Sequence, residues 1–302
     1  MTSPALQKIN ERLAGVMSAY VQALSPIPDV GRTRAIFREV LSGAVMPDGV
    51  DVIPVEANGV ACEWLVPAGA SQDCRLLYLH GGSYVIGDLD SYRAFVAYVA
   101  GACRCCVLNV GYRLAPENPP TAPREDALAA YRWILQHGPH AMATARRVFI
   151  AGDSAGGGLA ISSMVALREC RERLPDAAVT LCGGVDLSGM PPLPVEQRPF
   201  VEAAAALTRL FLRGTDPRDP MVSPLYADLH GLPPIFMQVS AAEHLLVQNV
   251  RFEERACAAG VAARLEIWPE MPHDWQLFTP ELPEAEAAVA QVGGFVRGFI
   301  ER

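Results

Sequence analysis

Between Arg147 and Leu167 the chain changes character twice in quick succession. Val148-Phe149-Ile150-Ala151 is a short apolar run of strand-forming type. Gly152-Asp153-Ser154-Ala155-Gly156-Gly157-Gly158 follows, and residues 159–167 then carry neither a charge nor a helix breaker. This pattern predicts a strand, a sharp turn and a buried helix, with Ser154 at the apex. A turn that tight leaves little room for neighbouring side chains, which accounts for Gly152, Gly156 and the small Ala155 around the serine. The apex backbone must adopt angles that a relaxed loop avoids. The helix that starts there points its first N–H groups at any negative charge in front of it. Gly-x-Ser-x-Gly also arises by chance, and alone it reads equally well as a glycine-rich turn. A phosphate-binding loop would need a lysine after the glycines, and none is present.

The 302 residues suit one large α/β domain or two small ones, and with 51% hydrophobic and 19% charged residues they can bury a sizeable core. Net charge is −8 and basic residues come at most in pairs such as Arg146-Arg147, which argues against nucleic acid as a partner. Met1-Thr2-Ser3-Pro4-Ala5 is not a basic segment followed by an apolar core, so no signal peptide is expected. The uncharged run at residues 154–167 is shorter than the roughly 18 to 20 residues a bilayer span needs, so no membrane span is expected. Of eight cysteines, Cys103, Cys105 and Cys106 cluster, whereas Cys62, Cys74, Cys170, Cys182 and Cys257 are scattered. No pair has zinc-ligand spacing, so no metal is expected, and a reduced, cytoplasmic protein is the simplest reading.

Leu6, Ile9, Leu13, Val16, Met17, Tyr20 and Leu24 step by three and four, which predicts an amphipathic helix closed by Ser25-Pro26-Ile27-Pro28. A second helix is expected over residues 34–41. Residues 51–56 and 61–66 read as strands joined by Asn58-Gly59, a hairpin signal. From Arg75 onward strands are expected at 76–79, 105–110, 148–151, 179–185, 235–240 and 264–268. Helices are expected at 92–102, 125–136, 159–167, 245–259 and 284–300. Such alternation predicts a mostly parallel sheet covered on both faces, with the hairpin as an antiparallel edge. The rhythm lapses between Asp186 and Pro234, where Pro191-Pro192, Pro194, a helix over residues 200–212 and Asp216-Pro217-Arg218-Asp219-Pro220 suggest an insertion above the sheet.

Two further stretches carry chemistry. His80-Gly81-Gly82-Ser83 follows the third expected strand, where glycines let backbone N–H groups turn toward a substrate oxygen. Among six histidines, His273 alone follows the last strand and precedes the last helix, where a loop can reach back to the serine. An acid between the two in chain order would complete a nucleophile–base–acid set. Glu243 follows residues 235–240 directly, and Asp186 is the alternative, although it leads into what looks like a turn to the insertion. Asp176, Asp216, Asp219 and Asp228 lie before strands or inside the insertion. Asp274 would have to fold back on its neighbour.

Taken together, His80-Gly81-Gly82-Ser83-Tyr84, Tyr112-Arg113-Leu114-Ala115-Pro116-Glu117, Gly152-Asp153-Ser154-Ala155-Gly156-Gly157, Ser223-Pro224-Leu225, Gly231-Leu232-Pro233-Pro234 and Met271-Pro272-His273 resemble the hormone-sensitive-lipase family of bacterial esterases. The likeness runs from about Asp51 to the C-terminus. It implies the α/β-hydrolase fold, carboxylester hydrolysis without a cofactor, a helical cap and frequent dimers. The chain departs from the family in Ser83, where a third glycine is usual, and in Glu243, where aspartate is commoner. The expectation is therefore one domain over residues 1–302 with cap elements near 1–45 and 188–220. Its activity would be serine carboxylesterase action on a small short-chain ester. Ser154 would be nucleophile, His273 base and Glu243 orienting acid. Backbone N–H groups of Ala155, Gly82 and Ser83 would hold the oxyanion, with Gly81 shaping the loop and Asp153 bracing the turn. Tyr84, Trp275, Phe278 and the helix around Tyr20 are expected pocket walls. An amidase or lactonase with the same residues, or a non-catalytic binding protein on the same fold, are the alternatives.

Overall fold

The computed structural model describes residues 3–24, 27–189 and 198–301. The expected helix stop at Ser25-Pro26 and the prolines 191, 192 and 194 of the insertion lie outside the described residues.

Strands β1 (Val50–Ala57) and β2 (Val60–Pro67) form the expected hairpin. Asn58 and Gly59 both take positive φ, at 50° and 86°, the pair of left-handed residues a two-residue turn needs to match strand twist. Then follow β3 (Ser71–Leu79), β4 (Cys105–Val110), β5 (Arg147–Asp153), β6 (Ala177–Leu181), β7 (Ile235–Ser240) and β8 (Ala263–Trp268). They complete an eight-stranded sheet in the order β1-β2-β4-β3-β5-β6-β7-β8. β2 runs antiparallel to both neighbours, and every pair from β4 to β8 is parallel. Parallel neighbours need a long crossover, most often a helix, which is why the helical-period segments fall between the apolar runs.

Successive residues of a strand point to opposite faces, and the core divides accordingly. Leu77, Leu79 and Ile150 pack on one side with Ala127 of α4 (Ala122–Ile134), Leu159 of α5 (Ser154–Glu169) and Phe252 of α7 (Leu246–Ala258). Leu76, Tyr78, Phe149 and Ala151 pack on the other with Phe95 of α3 (Leu89–Cys103) and Val289 of α8 (Pro283–Ile300).

Three helices stand apart from these layers: α1 (Pro4–Leu24), α2 (Val30–Leu41) and α6 (Arg198–Leu212). α1 packs against both α2 and α6. Arg34 of α2 donates to the carbonyls of Val85 and Ala115 and pairs with Glu117. The Tyr84 ring stacks on Phe211 of α6 with centroids 4.0 Å apart. Both contacts fasten these helices to the loop after β3.

Several boundaries differ from those expected, each for a local reason. α2 starts at Val30 rather than Arg34 because Asp29 caps it, accepting from the N–H of Arg32. α3 starts at Leu89 because Asp88 and Ser91 form a reciprocal capping box. β6 stops at Leu181 rather than Val185 because Cys182 takes φ 47° and turns the chain out of the sheet.

Candidate active site

β3 and β5 are parallel neighbours with Leu79 opposite Gly152, so the loops that follow them leave the sheet side by side. At the end of β5, Ser154 holds φ 46°, the left-handed backbone expected of a turn apex. Gly156 is required by close approach: a Cβ there would strike the carbonyl oxygen of Leu79. In the neighbouring loop Gly82 has φ 106°, which favours glycine, and Ser83 and Tyr84 follow at 53° and 62°. This run of left-handed residues curls the loop. The N–H groups of Gly82, Ser83 and Ala155 have no protein acceptor among the described residues. The N–H of Gly81 points the other way, donating to Oδ1 of Asp153 at 3.0 Å and to the Tyr92 hydroxyl at 3.1 Å. His80 below it is stacked on Tyr112 at 4.2 Å, and Tyr112 donates its hydroxyl to the His80 carbonyl at 2.6 Å. Burial lowers the His80 pKa to about 4, so its imidazole is neutral.

His273 follows β8 and returns over the turn. Its Nε2 lies 3.0 Å from Ser154 Oγ and its Nδ1 2.5 Å from Glu243 Oε2. Glu243, almost fully buried, also accepts the Ser240 N–H through Oε1 at 2.9 Å. Burial would raise its pKa, but the adjacent imidazole outweighs burial and the carboxyl is held below its ordinary range. For His273 burial opposes the charged form. The carboxylates of Asp274, Glu243 and Asp153 overcome it and lift the pKa to about 9.

Ser154, His273 and Glu243 are thus brought together, whereas Asp186 is directed elsewhere. Asp186 accepts from the Ser188 N–H at 2.9 Å and the Tyr226 hydroxyl at 3.1 Å, tying down the segment that leads to α6. Asp153 braces the turn from beneath, accepting from Tyr78 and Tyr92, each at 2.8 Å. Burial raises its pKa to about 6. Asp274 does fold back on its neighbour. At φ 55° it places Oδ2 3.1 Å from His273 Nε2, on the nitrogen that faces Ser154 rather than the one that faces Glu243.

The serine opens into a cavity of about 890 Å³ whose wall includes Tyr20, Tyr84 and Phe278, as expected, together with Met17, Phe37 and Leu212. Trp275 is not a wall: it is fully buried and packs on Trp268 beneath the site. Cys182 joins the site without a signal in the sequence. Its sulfur lies within 4.8 Å of ligand atoms of Glu243 and His273. Glu243 and His273 already bind each other, and burial raises the Cys182 thiol well above its ordinary pKa. The sulfur is therefore a protonated thiol beside an ion pair. No helix among the described residues is long and apolar enough to cross a membrane.

Residues 76–277 match the family described as having the alpha/beta hydrolase fold. Over 266 residues the chain is 40% identical to an acetyl-hydrolase of Streptomyces hygroscopicus, covering 86% of each protein. Over 256 residues it is 31% identical to an esterase of Acinetobacter venetianus, covering 82% of each. Among solved structures it is similar to an esterase from the bacterial hormone-sensitive lipase family, with TM-score 0.88, 38% identity and 99% of both chains covered. The chain belongs to the α/β-hydrolases and, within them, to the hormone-sensitive-lipase family of esterases. It is a carboxylic ester hydrolase.

Proposed function

We propose that the chain is a serine carboxylesterase that cleaves short-chain acyl esters through an acyl-enzyme. One observation carries the reading: an unbroken line of contacts from Ser154 Oγ through both nitrogens of His273 to Glu243, at the floor of an apolar cavity. Neutral His273 accepts the Ser154 proton as Oγ attacks the ester carbonyl. The oxyanion that forms accepts from the N–H groups of Ala155, Gly82 and Ser83, where preorganised donors lower the barrier. The tetrahedral species collapses, the C–O bond breaks, and the imidazolium protonates the departing alkoxide. Water, deprotonated by His273, then attacks the acyl carbonyl and frees Ser154 and the carboxylic acid. Glu243 fixes the tautomer and faces the positive charge. Gly81 has given its N–H to Asp153, so its part is to shape the loop.

In this reading α1, α2 and α6 form the cap of one domain, since they supply Met17, Phe37 and Leu212 to the cavity wall. A walled cavity admits single dissolved molecules better than a lipid surface, which supports preference for short acyl chains. Ser154→Ala is expected to lower turnover of p-nitrophenyl butyrate by roughly 10⁶-fold while the melting temperature holds. Retention of more than a few per cent of the rate overturns the assignment. Turnover is expected to fall from acetate and butyrate to laurate esters, and butyryl anilides to be far slower. Faster cleavage of the anilide would make the chain an amidase.

A further inference from the structure

The proposed mechanism leaves one charged side chain of the site unused. Asp274 lies with its Oδ2 3.1 Å from His273 Nε2, beside Ser154 Oγ at 3.0 Å from the same atom. Its other oxygen, Oδ1, is buried without a hydrogen-bond partner. With Nδ1 given to Glu243, Nε2 has a single proton or a single lone pair to offer two neighbours. If the proton sits on Nε2, the serine cannot pass its own proton there. If Nε2 is bare, an ionised Asp274 would set its negative charge against the lone pair. The arrangement that frees Nε2 for the serine without that repulsion has the proton on Asp274.

We propose that Asp274 is a positioning residue that stores the proton of the resting imidazole. Before attack, the Nε2–H bond breaks and an Oδ2–H bond forms, so that imidazolium and carboxylate become imidazole and neutral acid with no change in total charge. His273 then takes the Ser154 proton and delivers it to the leaving alkoxide. Asp274, still protonated, does not compete for the imidazolium as a carboxylate would. The inference rests on the reading of Ser154 as nucleophile and His273 as base.

The groups facing His273 support this role. Its own loop supplies Asp274, the loop after β7 supplies Glu243 and His244, the turn after β6 supplies Cys182, and the serine turn supplies Asp153 with the phenols of Tyr78 and Tyr92 bonded to it. Burial keeps His244 neutral, with its pKa lowered to about 3, and keeps Cys182 protonated. Asp274 is the strongest of the carboxylates that raise the imidazole, and burial drives its own pKa well up. A proton is therefore favoured on this pair and can reside on either partner.

The test compares the wild type with Asp274→Asn and Asp274→Gly, both residues that accept the left-handed backbone at this position. Two pH profiles are read from pH 5 to 10: kcat/KM for p-nitrophenyl acetate, and the rate of stoichiometric phosphorylation by diethyl p-nitrophenyl phosphate. Because the singly protonated pair already contains the active form, the wild-type acid limb marks entry of a second proton and should have its midpoint at or below about pH 6.5, the value of a free imidazole. In both variants the imidazole must lose its own proton to solvent, so the midpoint should rise by about half a pH unit or more. Variant midpoints equal to or below the wild type's, which a carboxylate that only stabilises the imidazolium would give, or a wild-type midpoint above about 7.5, would overturn the storage role. Failure of the underlying reading looks different: the wild type would not be phosphorylated, or Ser154→Ala would be phosphorylated equally well.

Discussion

The N–H of Gly81 donates to Asp153 across 72 residues of sequence, at 3.0 Å, and so ties the glycine loop to the base of the serine turn. The same carboxylate holds Tyr78 and Tyr92, so one buried group ties the loop of the proposed oxyanion donors to the turn of the proposed nucleophile.

Asp153→Ala is expected to lose the registration of the loop and with it roughly 100- to 1000-fold in kcat, the scale of losing one oxyanion donor. Stranded Tyr and Gly81 donors should lower stability by about 1–3 kcal/mol each at most. Asp153→Asn keeps one acceptor and should be milder. Its folded-state pKa is raised to about 6, so the stability it contributes is complete below about pH 4 and is lost as pH rises through 6. Urea midpoints of Asp153→Asn should accordingly be flatter than the wild type's between pH 4 and 6. A parallel dependence would show that Asp153 is not the buried acid responsible.

Glu243→Gln should lower turnover by roughly 10⁴-fold, since an amide cannot stabilise the imidazolium and favours the wrong tautomer. Asp186→Asn should lose far less, because its carboxylate serves Ser188 and Tyr226. Rates of both variants on one short ester, with their melting temperatures, decide the matter. A dead Asp186→Asn and an active Glu243→Gln would reverse the assignment.

Stability should fall on the alkaline side without a matching rise in activity. His273 has its pKa raised to about 9, so the stability from its charged form is complete below the unfolded value near 6.5 and is lost as pH rises through 9. Transfer of that proton to Asp274 frees the proposed base before the pair loses it, so kcat/KM should already be level over the same interval. Melting temperatures measured against a His273→Gln reference isolate this group. A wild-type excess that grows with pH would contradict the assignment.

Phe211→Ala removes the stack on Tyr84 and leaves a void between α6 and the loop after β3. A cost of about 3–5 kcal/mol is expected, as for other buried aromatic truncations. Because Ser154 and His273 are untouched, KM for butyrate esters should rise more than kcat falls. Steady-state kinetics beside a thermal melt will separate the two effects, and an unchanged KM would remove α6 from substrate binding.

The parts of this molecule legible in sequence were those governed by local patterns. Cys105–Val110 and Ile235–Ser240 were placed to the residue because unbroken apolar runs bounded by turns admit few alternatives. Ser154 could be found because tight backbone geometry demands glycines around it. Helix starts were placed late at Asp29 and Asp88, where the signal is a side-chain cap rather than hydrophobic period. Asp274 looks unsuited in the sequence because an acid beside the histidine must turn back on it, yet a left-handed residue at that position makes the turn. Cys182 gave no signal at all, since its nearness to Glu243 and His273 depends on where three separate loops meet.

The insertion of β3 between β4 and β5 has a kinetic consequence. Its partner on one side lies beyond a single helical crossover, but its partner on the other, Leu79 opposite Gly152, lies more than seventy residues downstream. Helices such as α5 form from local contacts, whereas this pairing must close a long loop before it is rewarded. After dilution from denaturant, helical circular dichroism should therefore return before catalysis does. Enzyme activity would then serve as a clock for the completion of the central sheet rather than for the collapse of the chain.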